Sequence, residues 1–144
     1  MIDINSGKIF FDDFVIDGFI SLERIKPFVC GGFPSSNIGG AQLSLGVHVK
    51  DGERWGVGVI FNDFKLYQVW LQQLSAPGVD GNAWSLDNEK KRKSAHDKIV
   101  ADLCAKKCIS IKSLSEIECK FQWGSISSLL DLKGVQALLV IEYV

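Results

Sequence analysis

The sequence contains no apolar run that approaches the roughly 20 residues a helix needs to cross a bilayer. Its longest apolar stretch, ALLVIEYV at residues 137–144, has the length of a strand. It also shows no positively charged leader ahead of an apolar segment, since the first residues, MIDINSGKIFF, carry an aspartate at position 3. We therefore expect a cytoplasmic protein that has no membrane partner.

The sequence also has no excess of positive charge. Lysine and arginine number 16 against 17 aspartates and glutamates, which gives a formal net charge of −1. The one dense basic run, residues 90–93, has four acidic residues around it and indicates a solvated helix face. Because proteins that bind nucleic acid usually present a basic surface, we expect no nucleic-acid partner.

The four cysteines form no C-x-x-C pair. Cys104 and Cys108 could share one helix face, but neither His nor Cys follows at zinc-finger spacing. The glycine-rich stretch CGGFPSSNIGG at residues 30–40 fits neither the phosphate-binding loop nor the dinucleotide fingerprint, and it predicts a loop. We expect free thiols in a reducing compartment, and neither a metal nor a cofactor.

What the sequence does have is the composition of a folded domain. Its 144 residues are 47% hydrophobic and include four tryptophans. A chain of this length commonly forms one domain and buries enough surface for a core without disulfides or a structural metal. We therefore interpret residues 1–144 as a single domain.

The stretch AQLSLGVHVKDGERWGVGVIF at residues 41–61 predicts a hairpin. Alternation of apolar and polar residues favours a strand whose buried face carries Leu43, Leu45, Val47 and Val49. Asp51-Gly52 is a preferred two-residue turn, and the register it sets places His48 opposite Trp55. Both would lie on the other, less apolar face, where His48 would be partly exposed.

The remaining elements follow from similar patterns. We predict a short hairpin that turns at Asp12-Asp13, a helical turn over Ser21–Ile25, a strand over residues 64–74 and a loop over residues 75–83. Ser85 is expected to cap one long helix that runs to about Ala105. Residues 119–131 and 135–144 are expected to form two strands joined across residues 132–134. The predicted class is α+β, an antiparallel sheet of about six strands with one long helix packed on it.

Three ionisable residues lie on the buried side of the predicted helix. At about 100° per residue the apolar stripe is defined by Ile99, Val100 and Leu103. Glu89, Arg92 and His96 extend that stripe toward the N-terminus. They could tie the helix start to a strand, bind a ligand, or form a cleft in which His96 acts as a general base. No Ser or Cys nucleophile is assigned by spacing, so all three hypotheses stay open.

Two stretches carry a resemblance to known proteins. They are W-S-x-x-x-E-x-x-R-K-x-x-H-D at Trp84–Asp97 and W-G-S-I-S-S-x-x-D-x-K-G at Trp123–Gly134. Both resemble a group of small uncharacterised bacterial proteins, some of which look like immunity or accessory proteins of toxin systems. The resemblance implies a hairpin, strands, a helix and a closing hairpin in this order, and it transfers no catalytic residue. Val100 departs from the group, whose helix tends to carry a tryptophan or similar bulky residue there.

Taken together, these patterns favour a non-enzymatic cytoplasmic binding protein of the toxin-neutralising, immunity-like kind. No catalytic residue is assigned, and the residues expected to bind are Trp84, Glu89, Arg92, His96 and Trp123. We expect a protein partner, and self-association into a homo-oligomer stays open. The alternative hypothesis is a small hydrolase or ligand-binding enzyme that uses a cleft between Glu89 and His96.

Overall fold

The computed structural model describes residues 1–34, 39–79, 84–105, 110–113, 115–131 and 133–144. Within these residues the strands are β1 (Ile9–Phe10), β2 (Val15–Ile16), β3 (Gly31–Pro34), β4 (Ala41–Lys50), β5 (Glu53–Asn62), β6 (Lys65–Gln73), β7 (Ser110–Ser113), β8 (Glu116–Phe121), β9 (Gly124–Asp131) and β10 (Gln136–Tyr143). The helices are α1 (Leu22–Ile25) and α2 (Leu86–Leu103), and a 3₁₀ turn over Lys26–Phe28 follows α1.

Eight of the described strands form one antiparallel sheet in the order β3-β4-β5-β6-β10-β9-β8-β7. The other two, β1 and β2, pair with each other in the short hairpin predicted around Asp12-Asp13. The long helix α2 packs against β6, β8, β9 and β10. The α+β class, with an antiparallel sheet and one long helix on it, is therefore confirmed.

The sheet has more strands than expected because three stretches differ from their predictions. β3 lies within the glycine-rich stretch that predicted a loop, and β7 lies where no element was predicted. Residues 119–131, predicted as one strand, instead belong to β8 and β9, which turn at Gln122-Trp123. Gly124 makes this turn possible, since its φ is +152° and a Cβ there would lie 1.9 Å from the Glu142 carbonyl oxygen.

Some predicted segments extend beyond the part of the chain that the structure describes. These are residues 35–38 and 80–83 of the two predicted loops, residue 132 of the closing turn, and Cys108. Cys30, Cys104 and Cys119 are free thiols, of which the first is exposed and the other two are buried.

The core lies on one face of the sheet. Along β5 every second residue is buried on this face, namely Trp55, Val57, Val59 and Phe61. The helix α2 packs on the β8–β10 half of the sheet. The N-terminal segment of residues 1–28 packs against His48 of β4 through Phe11 and Phe14, and it reaches the end of β10, where the Tyr143 hydroxyl donates to the Gly7 carbonyl. The two halves share one cluster, to which the N-terminal segment contributes buried isoleucines such as Ile9 and Ile16.

The prediction that His48 and Trp55 lie on a less apolar face, with His48 partly exposed, is wrong, since both are buried. The turn and the pairing of His48 with Trp55 are confirmed, but a β-bulge shifts the register between Ser44 and Gly46. Such a bulge adds one residue and reverses the facing of those that follow. His48 consequently enters the core at 6% exposure, whereas Val47 and Val49, which were predicted on the buried face, are 56% and 39% exposed.

The helix α2 begins as predicted and is polar on its buried side. Ser85 has an extended backbone (φ −151°, ψ 150°), and its hydroxyl accepts a hydrogen bond from the Asn88 N–H at 3.0 Å. The helix ends at Leu103, two residues before the predicted end. Its buried residues are Asn88, Glu89, Arg92, His96 and Val100. Among the residues that the structure describes, no helix is both long and apolar enough to span a membrane.

Candidate functional site

The three ionisable residues of α2 lie where strands β6 and β10 separate. These strands pair from Gln68 opposite Glu142 to Leu71 opposite Leu139. Hydrogen-bonded pairs alternate along an antiparallel ladder. Gln73 and Ala137 lie two residues beyond Leu71 and Leu139, so in a continued ladder they would form the next pair equivalent to that one. Their backbone groups bond to the helix instead.

Each of the three side chains forms a hydrogen bond with a backbone group of Gln73 or Ala137. Arg92 Nε donates to the carbonyl of Gln73 at 2.9 Å. The N–H of the same residue donates to His96 Nε2 at 3.1 Å. The N–H of Ala137 donates to Glu89 Oε2 at 2.8 Å, and the other oxygen of Glu89 is paired with Arg92 Nη1. The helix side chains thus take the place of the strand-to-strand hydrogen bonds at this point. They supply the partners that buried backbone N–H and C=O groups need.

Burial sets the protonation of His96. The ring is fully buried and stacks on Trp55 with the centroids 6.1 Å apart. Burial, and secondly the charge of Arg92, lower the pKa of His96 from 6.5 to about 3. Because Nε2 accepts the hydrogen bond from Gln73, the proton of the neutral ring is on Nδ1. A general base works best with a pKa near the operating pH, so this histidine is poorly suited to that role.

The geometry therefore favours the structural hypothesis for Glu89, Arg92 and His96. All three are at most 7% exposed, and each holds a strand backbone group. Glu89 and His96 line neither of the two clefts described below. The sequence placed them correctly on the buried side of the helix. Their partners could not be predicted, because nothing in the local pattern reveals where two distant strands separate.

The two tryptophans expected to bind lie away from this cluster, near opposite ends of β10. Trp84 is 60% exposed, and its indole N–H donates to the Val135 carbonyl at 3.0 Å, close to the start of β10. Trp123 packs on Phe121 and against Tyr143 at the other end, and its N–H donates to the Ile4 carbonyl at 2.8 Å. The structure therefore does not bring the five predicted residues into one site.

A second polar contact, which the sequence did not predict, joins the N-terminal hairpin to the sheet. His48 Nδ1 lies 3.2 Å from both carboxylate oxygens of Asp13, and Nε2 lies 2.9 Å from the Leu45 carbonyl oxygen. The rings of Phe11 and Phe14 pack at centroid distances of 5.4 and 5.0 Å. The signal in the sequence was Gly46, since a glycine inside a strand often marks a bulge.

A concave site lies elsewhere, between the β5–β6 turn, the loop before α1 and the end of β10. It encloses about 460 Å³ and is lined by residues 18–21, Asn62, residues 64–67, Tyr143 and Val144. Phe19, 99% exposed, and Phe64, 64% exposed, contribute to its lining, as does Tyr67. We call this site the aromatic cleft. A smaller cleft of about 270 Å³ lies between the N-terminus, Trp55 and the end of α2.

The sequence carries a signal for the aromatic cleft in the composition of two turns. Both phenylalanines occupy tight turns, where Gly, Asn, Asp and Ser usually dominate. Phe64 follows Asp63 in the two-residue turn between β5 and β6, and Phe19 follows Gly18. A large apolar residue in a turn has little chance of burial and is therefore worth noting as a candidate contact residue.

Comparison of this chain with protein-family models, curated proteins and solved structures finds no significant match.

Proposed function

We propose that this chain is a non-enzymatic, cytoplasmic binding protein with a protein partner, of the toxin-neutralising kind implied by the resemblance described above. The observation that carries the proposal is the exposure of Phe19, Phe64 and Tyr67 around one cleft. Large apolar side chains that are clustered and solvent-exposed commonly mark interaction sites. Aromatic residues in particular contribute strongly at protein interfaces.

The bonding of Glu89 and His96 supports a binding role over the hydrolase alternative. Both oxygens of Glu89 are engaged, one by Arg92 and one by Ala137, and the acceptor nitrogen of His96 is engaged by Gln73. A substrate would have to displace these hydrogen bonds and open the seam between β6 and β10. The cluster thus stabilises a scaffold, and the exposed aromatic residues supply the contact surface.

The proposal is tested by producing the chain together with the product of the adjacent gene in its source genome. We expect that product to inhibit bacterial growth when it is produced alone and this inhibition to disappear when the chain is produced with it. We also expect a stoichiometric complex to elute from a sizing column with light-scattering detection. Loss of toxicity without a complex would contradict a binding mechanism. A complex that contains only copies of this chain would favour a homo-oligomer instead.

A further inference from the structure

The first wall of the aromatic cleft is an ordered turn. The N–H of Phe19 donates to Asp17 Oδ1 at 2.9 Å, and the N–H of Ile20 donates to the Asp17 carbonyl at 3.1 Å. An aspartate that bonds the backbone two residues on stabilises such a turn. These contacts hold the Phe19 ring in solvent at 99% exposure. The exposure is therefore a property of a defined turn.

The second wall is strained. Asp63 and Phe64 have φ angles of +49° and +60°, in the left-handed region where glycine and asparagine are preferred. Phe64 lies against Gly39, where a Cβ would come within 2.6 Å of its ring, yet 64% of the residue stays exposed. An unfavourable conformation held by a largely exposed apolar residue suggests that the residue serves a function.

The cleft carries one charged side chain. Among the side chains that line the cleft, that of Lys65 is the only charged one; it is exposed and forms no ion pair within the described residues. The carboxylate of Glu142, which lies outside the lining, engages the Tyr67 hydroxyl and raises the pKa of that group through its charge. Asp17 caps its own turn. Lys65 is therefore the cationic side chain of the cleft lining, with which a carboxylate can pair.

From these features we infer that the aromatic cleft is the anchor site for a partner segment that presents a bulky apolar side chain beside a carboxylate. The apolar side chain would lie between Phe19, Phe64 and Tyr67, and the carboxylate would pair with Lys65. The cleft volume of about 460 Å³ lies in the usual range for ligand pockets. This inference rests on the proposed function and specifies where and by what chemistry the partner is bound.

Three matched peptides test the charge requirement. They are Gly-Asp-Leu-Trp-Leu-Asp-Gly and its counterparts with both aspartates replaced by asparagine or by lysine, each blocked at the ends and labelled with fluorescein. Anisotropy titration should rank them acidic, neutral, basic, with about a tenfold difference in Kd between the first and the last. Equal affinities of the three peptides, or no binding of the acidic one, would overturn the inference.

Variants of the cleft then locate the binding. Phe19→Ala and Phe64→Gly should each raise the Kd of the acidic peptide by about tenfold. Lys65→Gln should remove the preference for the acidic over the basic peptide. The matched controls are Ile111→Ala, which alters an exposed apolar residue on β7, and Lys133→Gln, at the opposite end of β10. Equal effects of the control and cleft variants would contradict this site.

Stability separates loss of contact from loss of fold. Phe64→Gly relieves the left-handed strain, so its Tm should be unchanged or higher even as peptide affinity falls. A lower Tm together with weaker binding would mean that Phe64 is a structural residue, and would refute its role as a contact. If the complex with the adjacent gene product forms and the cleft variants bind that product as tightly as the wild-type chain does, the cleft inference is wrong while the proposed function stands. If no complex or rescue is seen, the proposed function fails, whatever the peptides show.

Discussion

The backbone N–H of Gln73 on β6 donates a hydrogen bond to Nε2 of His96 on α2 across 3.1 Å. A strand amide that would ordinarily bond to the neighbouring strand thus bonds to an imidazole of the helix. The neighbouring strand β10 is held in the same way, because the N–H of Ala137 donates to Glu89. The polar side chains at the start of α2 therefore complete the hydrogen bonding of strands β6 and β10. Substitution of these side chains should lower the free energy of unfolding more than substitution of residues on the exposed face of the helix.

The first prediction concerns Arg92→Ala. The substitution leaves the Glu89 charge buried without its ion-pair partner and removes the donor to the Gln73 carbonyl. Breaking a buried ion pair from one side typically costs about 3–5 kcal/mol. We expect the free energy of unfolding, measured by urea titration, to fall by about 3 kcal/mol or more.

Lys91→Ala is the matched control for that measurement. Lys91 lies next to Arg92 on the same helix but pairs with Asp87 on the exposed face, with an N–O distance of 2.9 Å. Exposed pairs of this kind contribute about 0.5 kcal/mol or less. Equal urea midpoints for the two variants would contradict the structural role of the cluster.

The second prediction is a pH dependence that belongs to His96. The pKa of His96 falls from its ordinary value of 6.5 to about 3 in the folded chain. Between these two pH values the unfolded state binds a proton that the folded state does not. Stability from this group is therefore complete above pH 6.5 and is lost as the pH falls toward 3. The loss approaches about 1.4 kcal/mol per pH unit within that window.

His96→Gln isolates this contribution. The other titrating groups are common to both proteins and largely cancel when the two unfolding free energies are subtracted. We expect the wild-type chain to be more stable at pH 7 and the difference to shrink steadily between about pH 6 and pH 4.5, measured by urea titration at each pH. A difference that stays constant over this range would show that His96 is not held neutral by burial.

How much of this could be predicted from the sequence depends on the range of the interactions. The facing of Glu89, Arg92 and His96 followed from helical spacing, and the Asp51-Gly52 turn followed from local chemistry, so both were predicted. The bonds to Gln73 and Ala137 join residues 19 to 48 positions apart. They require knowledge of where two strands separate, and local periodicity carries no such information.

The error at His48 has a different origin. The pattern from Leu43 to Val49 is compatible with an unbroken strand, but one bulge at Gly46 reverses the facing of every residue after it. Similarly, the two phenylalanines of the aromatic cleft depart from the usual composition of turns, and methods that search for the usual composition pass over them. In both cases the residue that broke the pattern was the informative one.

The third prediction concerns the turn between β4 and β5. Asp51 and Gly52 have φ angles of +51° and +83°, and no atom lies within 4 Å of a Cβ built on Gly52. Gly52→Val should therefore destabilise through the backbone conformation alone, by about 1–2 kcal/mol. Gly31→Val is the control, since Gly31 is in an edge strand without a positive φ and has space for a side chain. Thermal melts that rank the two variants equally would refute this explanation.

The fourth prediction concerns the bulge that turns His48 into the core. Gly46 has a φ of +77°, and a Cβ there would lie 3.3 Å from the Cys30 sulfur, so Gly46→Ala should lower the free energy of unfolding by about 1–2 kcal/mol. Gly56→Ala is the matched control, because Gly56 lies opposite Val47 without a positive φ and a Cβ there makes only ordinary contacts at 3.8 Å or more. Urea titration should give a clearly lower midpoint for the first variant only. If both variants behaved like the wild-type chain, the strand would tolerate an unbroken register, and the burial of His48 would need another cause.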